Sequence, residues 1–154
     1  MNSEANAPVL PRKTPGVVIA FHVVYTVLAL QFLVPALIYA FAPGVAVAEY
    51  ARLGPMLGGG AYPHTEDSTL WRVLAVANVL TLAFCCALIQ VDLRKWFPVL
   101  TPLVFLKGTA AVGLLLAWFA EPFPGHLAGC VLDTVTVALL LYFGINARRA
   151  LDRP

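Results

Sequence analysis

The sequence predicts an all-α integral membrane protein, a bundle of four transmembrane helices. Of its 154 residues, 60% are hydrophobic and only 12% are charged, whereas soluble domains average about half and a quarter. A chain of this length cannot bury so much apolar surface in one aqueous core. Four apolar windows each reach the roughly 20 residues that a helical span requires; they cover about residues 17–42, 71–91, 98–120 and 127–146.

The segment before the first span is polar and contains Pro8, Pro11 and Pro15. Such a composition is typical of an extended or disordered tail, which we assign to residues 1–16. The following apolar run is much longer than the roughly 7–15 apolar residues of a signal peptide. We therefore expect an uncleaved first helix, kinked at Pro35.

The remaining boundaries follow from aromatic residues, prolines and charges. Trp71 lies where a membrane interface is expected, and Pro98 suits the first turn of the third span. The transmembrane domain is predicted over residues 17–147. Residues 148–154 are predicted to form a basic tail.

The connection between the first two spans is the only long one, at about 28 residues. Within it, Val45 to Leu53 predicts a short helix lying in the membrane interface and ending at Gly54-Pro55. The run Gly58-Gly59-Gly60 then predicts a flexible hinge.

Charge placement predicts the orientation of the spans. Cations in short loops mark the cytoplasmic side, and they occur before the first span, between the second and third, and after the fourth. The other side has only two cations and carries four acids. We therefore expect both termini in the cytoplasm and place the protein in a bacterial cytoplasmic (inner) membrane. The residues concerned are Arg12, Lys13, Arg94, Lys95, Arg148, Arg149 and Arg153 inside, with Arg52, Arg72, Glu49, Glu66, Asp67 and Glu121 outside.

No cofactor or structural metal is predicted. Cys85, Cys86 and Cys130 form no C-x-x-C pair and lie in apolar runs, which is typical of small buried side chains. The chain also lacks a basic patch interleaved with aromatic residues, so nucleic acid is not an expected partner.

A charged pair is predicted inside the membrane. Lys107 lies near the middle of the third span and Asp133 in the outer half of the fourth. A lone charge at that depth costs about 2.5–3.5 kcal/mol on insertion scales, so such residues face partners. The two backbones differ in depth by about 6 Å, which a lysine side chain can span. Asn78 and Gln31 are candidates to hydrogen-bond this pair, or to serve as simple links between helices.

A second candidate site lies on the outer face, before the second span and in the turn between the third and fourth. Imidazole and carboxylate groups together can bind zinc, iron or copper. No two of these residues have a diagnostic ligand spacing, so capping acids in a solvated loop are the competing interpretation. The five residues are His64, Glu66, Asp67, Glu121 and His126.

The layout of about 150 residues and four spans resembles DoxX-like and other small bacterial membrane proteins. The stretch from Trp71 to Asn78 (WRVLAVAN), Lys107 and Asp133 have the character of family-defining positions. The resemblance covers the layout alone and implies no functional residue.

Three functions from different classes remain open. The first is an accessory or structural subunit in a larger membrane complex or a homo-oligomer, with the lipid bilayer and other subunits as partners. The second is a small carrier or a bundle that binds a hydrophobic ligand, such as a quinone or lipid, beside Lys107 and Asp133. The third is a membrane enzyme working through the outer-face histidines and carboxylates. The sequence contains no catalytic motif and favours the first, so no catalytic residue is assigned.

Overall fold

The computed structural model describes residues 16–62 and 69–152, and these are helical apart from short connections. Four stretches are long and apolar enough to cross a membrane: Gly16–Phe41, Arg72–Val91, Leu93–Ala120 and Pro124–Asp152. For the described residues, the predicted all-α architecture is confirmed, as is the expected number of helices able to span a membrane. The helices are α1 (Gly16–Phe41), α2 (Pro43–Met56), α3 (Thr69–Val91), α4 (Leu93–Trp96), α5 (Leu100–Ala120) and α6 (Pro124–Asp152), with a 3₁₀ turn at Phe97–Val99.

The structure extends the fourth span at both ends. Helix α6 begins at Pro124 and continues to Asp152, so residues 148–152 of the expected basic tail are helical. The last turn is held by an ion pair from Arg148 Nε to Asp152 Oδ2 at 3.0 Å, one helical turn apart. Arg94, in the link between α3 and α5, donates to the Leu151 carbonyl. These contacts hold the end of α6 against that link.

The four long helices pack as two pairs. Helix α1 packs mainly against α3, and α5 packs mainly against α6. Contacts between α1 and α6 join the two pairs, whereas α3 and α5 touch only slightly. Helix α3 therefore depends mainly on α1 for its position.

The core is organised around one face of α1. Phe21, Tyr25, Leu28 and Phe32 recur every three or four residues and are fully buried or nearly so, which is the spacing of a single helical face. Side chains from the other three long helices meet them, including Ile89, Leu103 and Leu140.

A polar contact fixes the approach of α1 to α6. The Tyr25 hydroxyl donates to the Leu140 carbonyl at 2.8 Å. A methyl group built on Gly144 would lie 2.6 Å from the Tyr25 hydroxyl oxygen. The absence of a side chain at Gly144 therefore allows the phenol to reach the backbone of α6.

Helix α2 continues past its expected end at Gly54-Pro55 and reaches Met56. The Gly59 amide donates to the Gly54 carbonyl at 2.7 Å and the Gly58 amide to the Pro55 carbonyl at 3.3 Å. With Gly58 at φ 78°, these bonds form a Schellman cap. The expected hinge at Gly58 is therefore an ordered helix end.

The end of α2 packs tightly on the turn between α5 and α6. A methyl group on Gly54 would lie 2.1 Å from the Gly60 carbonyl oxygen and 2.6 Å from the Phe123 ring. One on Gly59 would lie 2.4 Å from the Pro124 ring. The lack of a side chain at Gly54 and Gly59 thus lets the end of α2 pack over one end of the bundle.

Substitution of Gly144 by Ala should lower the free energy of unfolding by about 1–3 kcal/mol, because the added methyl group overpacks against the Tyr25 hydroxyl. Tyr25→Phe alone should cost about 1 kcal/mol through the lost hydrogen bond. The double variant should cost less than the sum, because removal of the hydroxyl oxygen makes room for the methyl group. Equilibrium unfolding in mixed micelles measures all three. Gly113→Ala is the control, since its added methyl group would meet no neighbouring side chain or segment within 4 Å among the described residues. If the costs of Gly144→Ala and Tyr25→Phe simply add in the double variant, this account is contradicted.

Candidate functional site

Lys107 and Asp133 form an ion pair inside the bundle. Lys107 Nζ lies 2.6 Å from Asp133 Oδ1. The two side chains are only 16% and 9% exposed. Helices α5 and α6 are antiparallel neighbours joined by a three-residue turn, Glu121 to Phe123, which places both residues on facing surfaces. The lysine stem covers the difference in depth that was expected from the sequence.

Close packing of α5 on α6 supports the pair. Gly129 lies one helical turn before Asp133, on the same face of α6. A methyl group there would lie 2.9 Å from Leu114 Cδ1. The small residue therefore brings the two helix backbones together beside the charges.

Helix α1 contributes an aromatic residue that the sequence analysis missed. Lys107 Nζ lies 5.0 Å from the centre of the Phe32 ring, within the range of a cation–π interaction. Phe32 is almost fully buried. The periodic aromatic and aliphatic face of α1 marks Phe32 as a core residue, but only the packing of α1 against the α5–α6 pair, mainly through α6, places it over the ammonium group.

Neither Asn78 nor Gln31 is hydrogen-bonded to Lys107 or Asp133. The Asn78 side chain is exposed on α3 and the Gln31 side chain is half-buried on α1. Lys107 donates a hydrogen bond to Asp133, and neither amide side chain takes part in it. Because α3 packs on α1 and hardly on α5, the Asn78 face is left outside the core.

Only two of the five outer-face candidates, Glu121 and His126, lie among the described residues. His64, Glu66 and Asp67 lie outside the described residues. Glu121 is exposed and His126 is 7% exposed. His126 Nδ1 lies 3.2 Å from the Glu121 carbonyl oxygen, so its proton on Nδ1 donates to the backbone. Within residues 16–62 and 69–152, no three His, Cys, Asp or Glu side chains are grouped as metal ligands.

His126 belongs to an aromatic cluster that closes this end of the bundle. Its ring centre lies 5.4 Å from that of Phe123 and 6.4 Å from that of Tyr62. Tyr50 of α2 packs against both, at 5.2 Å from Tyr62 and 5.6 Å from Phe123. Burial, and then the neighbouring Tyr62, raise the pKa of Tyr50 to about 12, so this phenol stays neutral near pH 7. The described part of the cluster is a packed aromatic cap.

Comparison with known proteins identifies no relative. No family model matches the chain, and no curated protein or solved structure matches it significantly. The DoxX-like layout therefore gains no support.

Removal of one member of the charged pair should destabilise the bundle strongly. Asp133→Ala should cost about 3–5 kcal/mol, because it leaves the Lys107 charge buried without a partner. The double variant Lys107→Met with Asp133→Leu should recover most of that loss, since it removes both charges and leaves apolar side chains in contact with each other. Equilibrium unfolding in mixed micelles measures both. A double variant no more stable than Asp133→Ala would show that the pair does more than neutralise itself.

Proposed function

We propose that this chain is a structural subunit of a membrane assembly. The observation that carries the proposal is the closed Lys107–Asp133 pair, at 2.6 Å and covered by Phe32. Each charge is satisfied by a neighbouring helix of the same chain. The pair therefore suits a role in holding helix register.

Other polar side chains of the spans also join helices. Tyr25 links α1 to α6 through the Leu140 carbonyl. The Thr26 hydroxyl links α1 to α3 by donating to Gln90 Oε1 at 3.0 Å. Such contacts give a bundle with a defined shape, which a subunit needs in order to present constant surfaces to its neighbours.

The proposed setting is a bacterial inner membrane with both termini in the cytoplasm. In support, cations from two separate segments lie at one end of the bundle: Arg94 Nε lies 3.6 Å from Asp152 Oδ1, and Arg148 pairs with the same carboxylate. Lys95 and Arg149 flank them in the sequence. A concentration of cations at one end favours the cytoplasmic side. In this orientation α2 and the aromatic cap occupy the outer interface, where Tyr side chains are favoured.

The assembly should be visible by native mass spectrometry of the protein purified from its own host in a mild detergent. We expect a reproducible stoichiometric complex that contains other copies or other polypeptides. The Lys107→Met, Asp133→Leu double variant should assemble equally well, because the proposed role of the pair is internal to the bundle. A lone monomer from host membranes, or a well-folded double variant that fails to assemble, would contradict the proposal.

A groove between α1 and α3 favours a second candidate, the binding of a membrane-soluble ligand. It has a volume of about 440 Å³ and is lined by Ala, Leu and Phe side chains, with Thr26 and Gln90 as its polar members. Gln90 Nε2 donates to the Cys86 carbonyl, which leaves its second N–H available. A quinone with an isoprenoid chain fits a groove with an apolar lining and one hydrogen-bond donor. Its carbonyl accepts the hydrogen bond, and its chain requires the apolar lining.

A long-chain ubiquinone added to the purified protein should raise the melting temperature if the groove is its site. Gln90→Leu should weaken the shift, because it removes the free donor, whereas the Lys107→Met, Asp133→Leu double variant should leave it unchanged. A shift that is lost in the double variant but kept in Gln90→Leu would place the ligand beside the charged pair instead.

A further inference from the structure

Asn78 differs from the other uncharged polar side chains of the α3 span. The Thr81 hydroxyl donates to the Ala77 carbonyl at 2.8 Å. Gln90 bonds both to Thr26 and to the Cys86 carbonyl. Asn78 is exposed and makes no hydrogen bond to any residue in the described part of the chain. Its carboxamide is therefore left without a partner among residues 16–62 and 69–152 of its own copy.

The depth of Asn78 makes this situation unfavourable. Arg72–Val91 is the part of α3 that is long and apolar enough to span a membrane, and Asn78 lies about 9 Å from its outer end at roughly 1.5 Å per residue. Lipid chains offer neither a donor nor an acceptor to an amide at that depth. The asparagine side chain is also too short to reach the interface. A neighbouring helix that supplies both a donor and an acceptor would remove the cost.

Asn78 is also part of a continuous helical seam. Leu74, Asn78, Thr81, Cys85 and Leu88 follow one another at intervals of four and three residues, the spacing of a left-handed helix pair. The first three are exposed and the last two are half-buried. Within its own bundle α3 instead buries Leu82, Cys86 and Ile89. The seam is thus a second contact face that its own chain leaves largely uncovered.

We propose that two copies of this chain associate through the α3 seam, with the carboxamides of the two Asn78 residues hydrogen-bonded to each other. A carboxamide contains both a donor and an acceptor, so it is complementary to itself. A twofold axis normal to the membrane brings identical residues together at one depth. A single asparagine in such a seam specifies register and a two-stranded pairing. The inference rests on the proposed role in assembly and names a second copy as the partner at this face.

The first experiment measures the dimer dissociation constant of the recombinant protein in lipid bilayers, by fluorescence energy transfer between labelled copies. Asn78→Leu should raise that constant by about 3- to 30-fold, the effect of losing one interhelical polar contact in a membrane. Thr81→Val is the matched control, because its hydroxyl is already bonded to its own helix, and it should leave the constant unchanged. An unchanged constant for Asn78→Leu, or no dimer at all in the unsubstituted protein, would overturn the inference.

A second experiment locates the interface independently of stability. In a background with Cys85, Cys86 and Cys130 replaced by Ala, Thr81→Cys should form a disulfide between copies on mild oxidation. Phe84→Cys is the matched control, because Phe84 is exposed on the α1-facing side of α3, where it lines the groove. Cross-linking through Phe84 but not Thr81 would overturn the seam. Each variant should first give a single monodisperse peak on size-exclusion chromatography. Its melting temperature should equal that of the cysteine-free background.

The inference and the proposed function fail in different ways. If the host protein forms a complex with other polypeptides and Asn78→Leu leaves the dimer dissociation constant unchanged, the seam is overturned and the subunit role stays in place. A recombinant dimer that depends on Asn78, but a host protein that is always monomeric, would overturn the subunit role.

Discussion

The ion pair between Lys107 and Asp133 is the interaction on which the second half of the bundle depends. A lysine in the middle of a span is tolerated only with a partner, and here the partner comes from the next helix at 2.6 Å. To bring them together, α5 and α6 must be adjacent and antiparallel, with Gly129 at their contact. Phe32 then extends the constraint to α1, because its ring lies over the ammonium group.

The properties of the lipid bilayer explain how much of the fold and of the charged site could be predicted from the sequence. The thickness of the bilayer fixes the length of an apolar helix, and the cost of an unpaired charge depends on its depth. The four long helices and the two charged residues could therefore be identified from the sequence. The rotation of a helix about its axis depends on its neighbours. Asn78 was expected near the charges, yet the slight contact between α3 and α5 turns it outwards. Phe32 was missed for the same reason.

The helix ends were harder to predict, because ion pairs and backbone hydrogen bonds at these ends order segments whose composition suggests flexibility. Charged residues after the fourth span suggested a tail, but the Arg148–Asp152 pair and the Arg94 contact extend α6 through them. Three consecutive glycines suggested a hinge, but Gly58 adopts the left-handed conformation that completes the cap of α2. In both places, bonds within the helix end itself hold the backbone, and a contact with a second segment (Arg94 or Pro124) adds to them.

The position of Lys107 also has a consequence for biosynthesis. The lysine precedes its aspartate by 26 residues, so during translation α5 enters the translocon with an uncompensated charge before α6 has been made. Insertion of α5 alone carries the cost of a lysine at mid-membrane, whereas insertion of the α5–α6 hairpin carries a neutral pair. The three-residue turn at Glu121–Phe123 makes such a hairpin compact. Entry of α5 and α6 into the bilayer as one hairpin would therefore spare the lysine its passage into lipid without a partner.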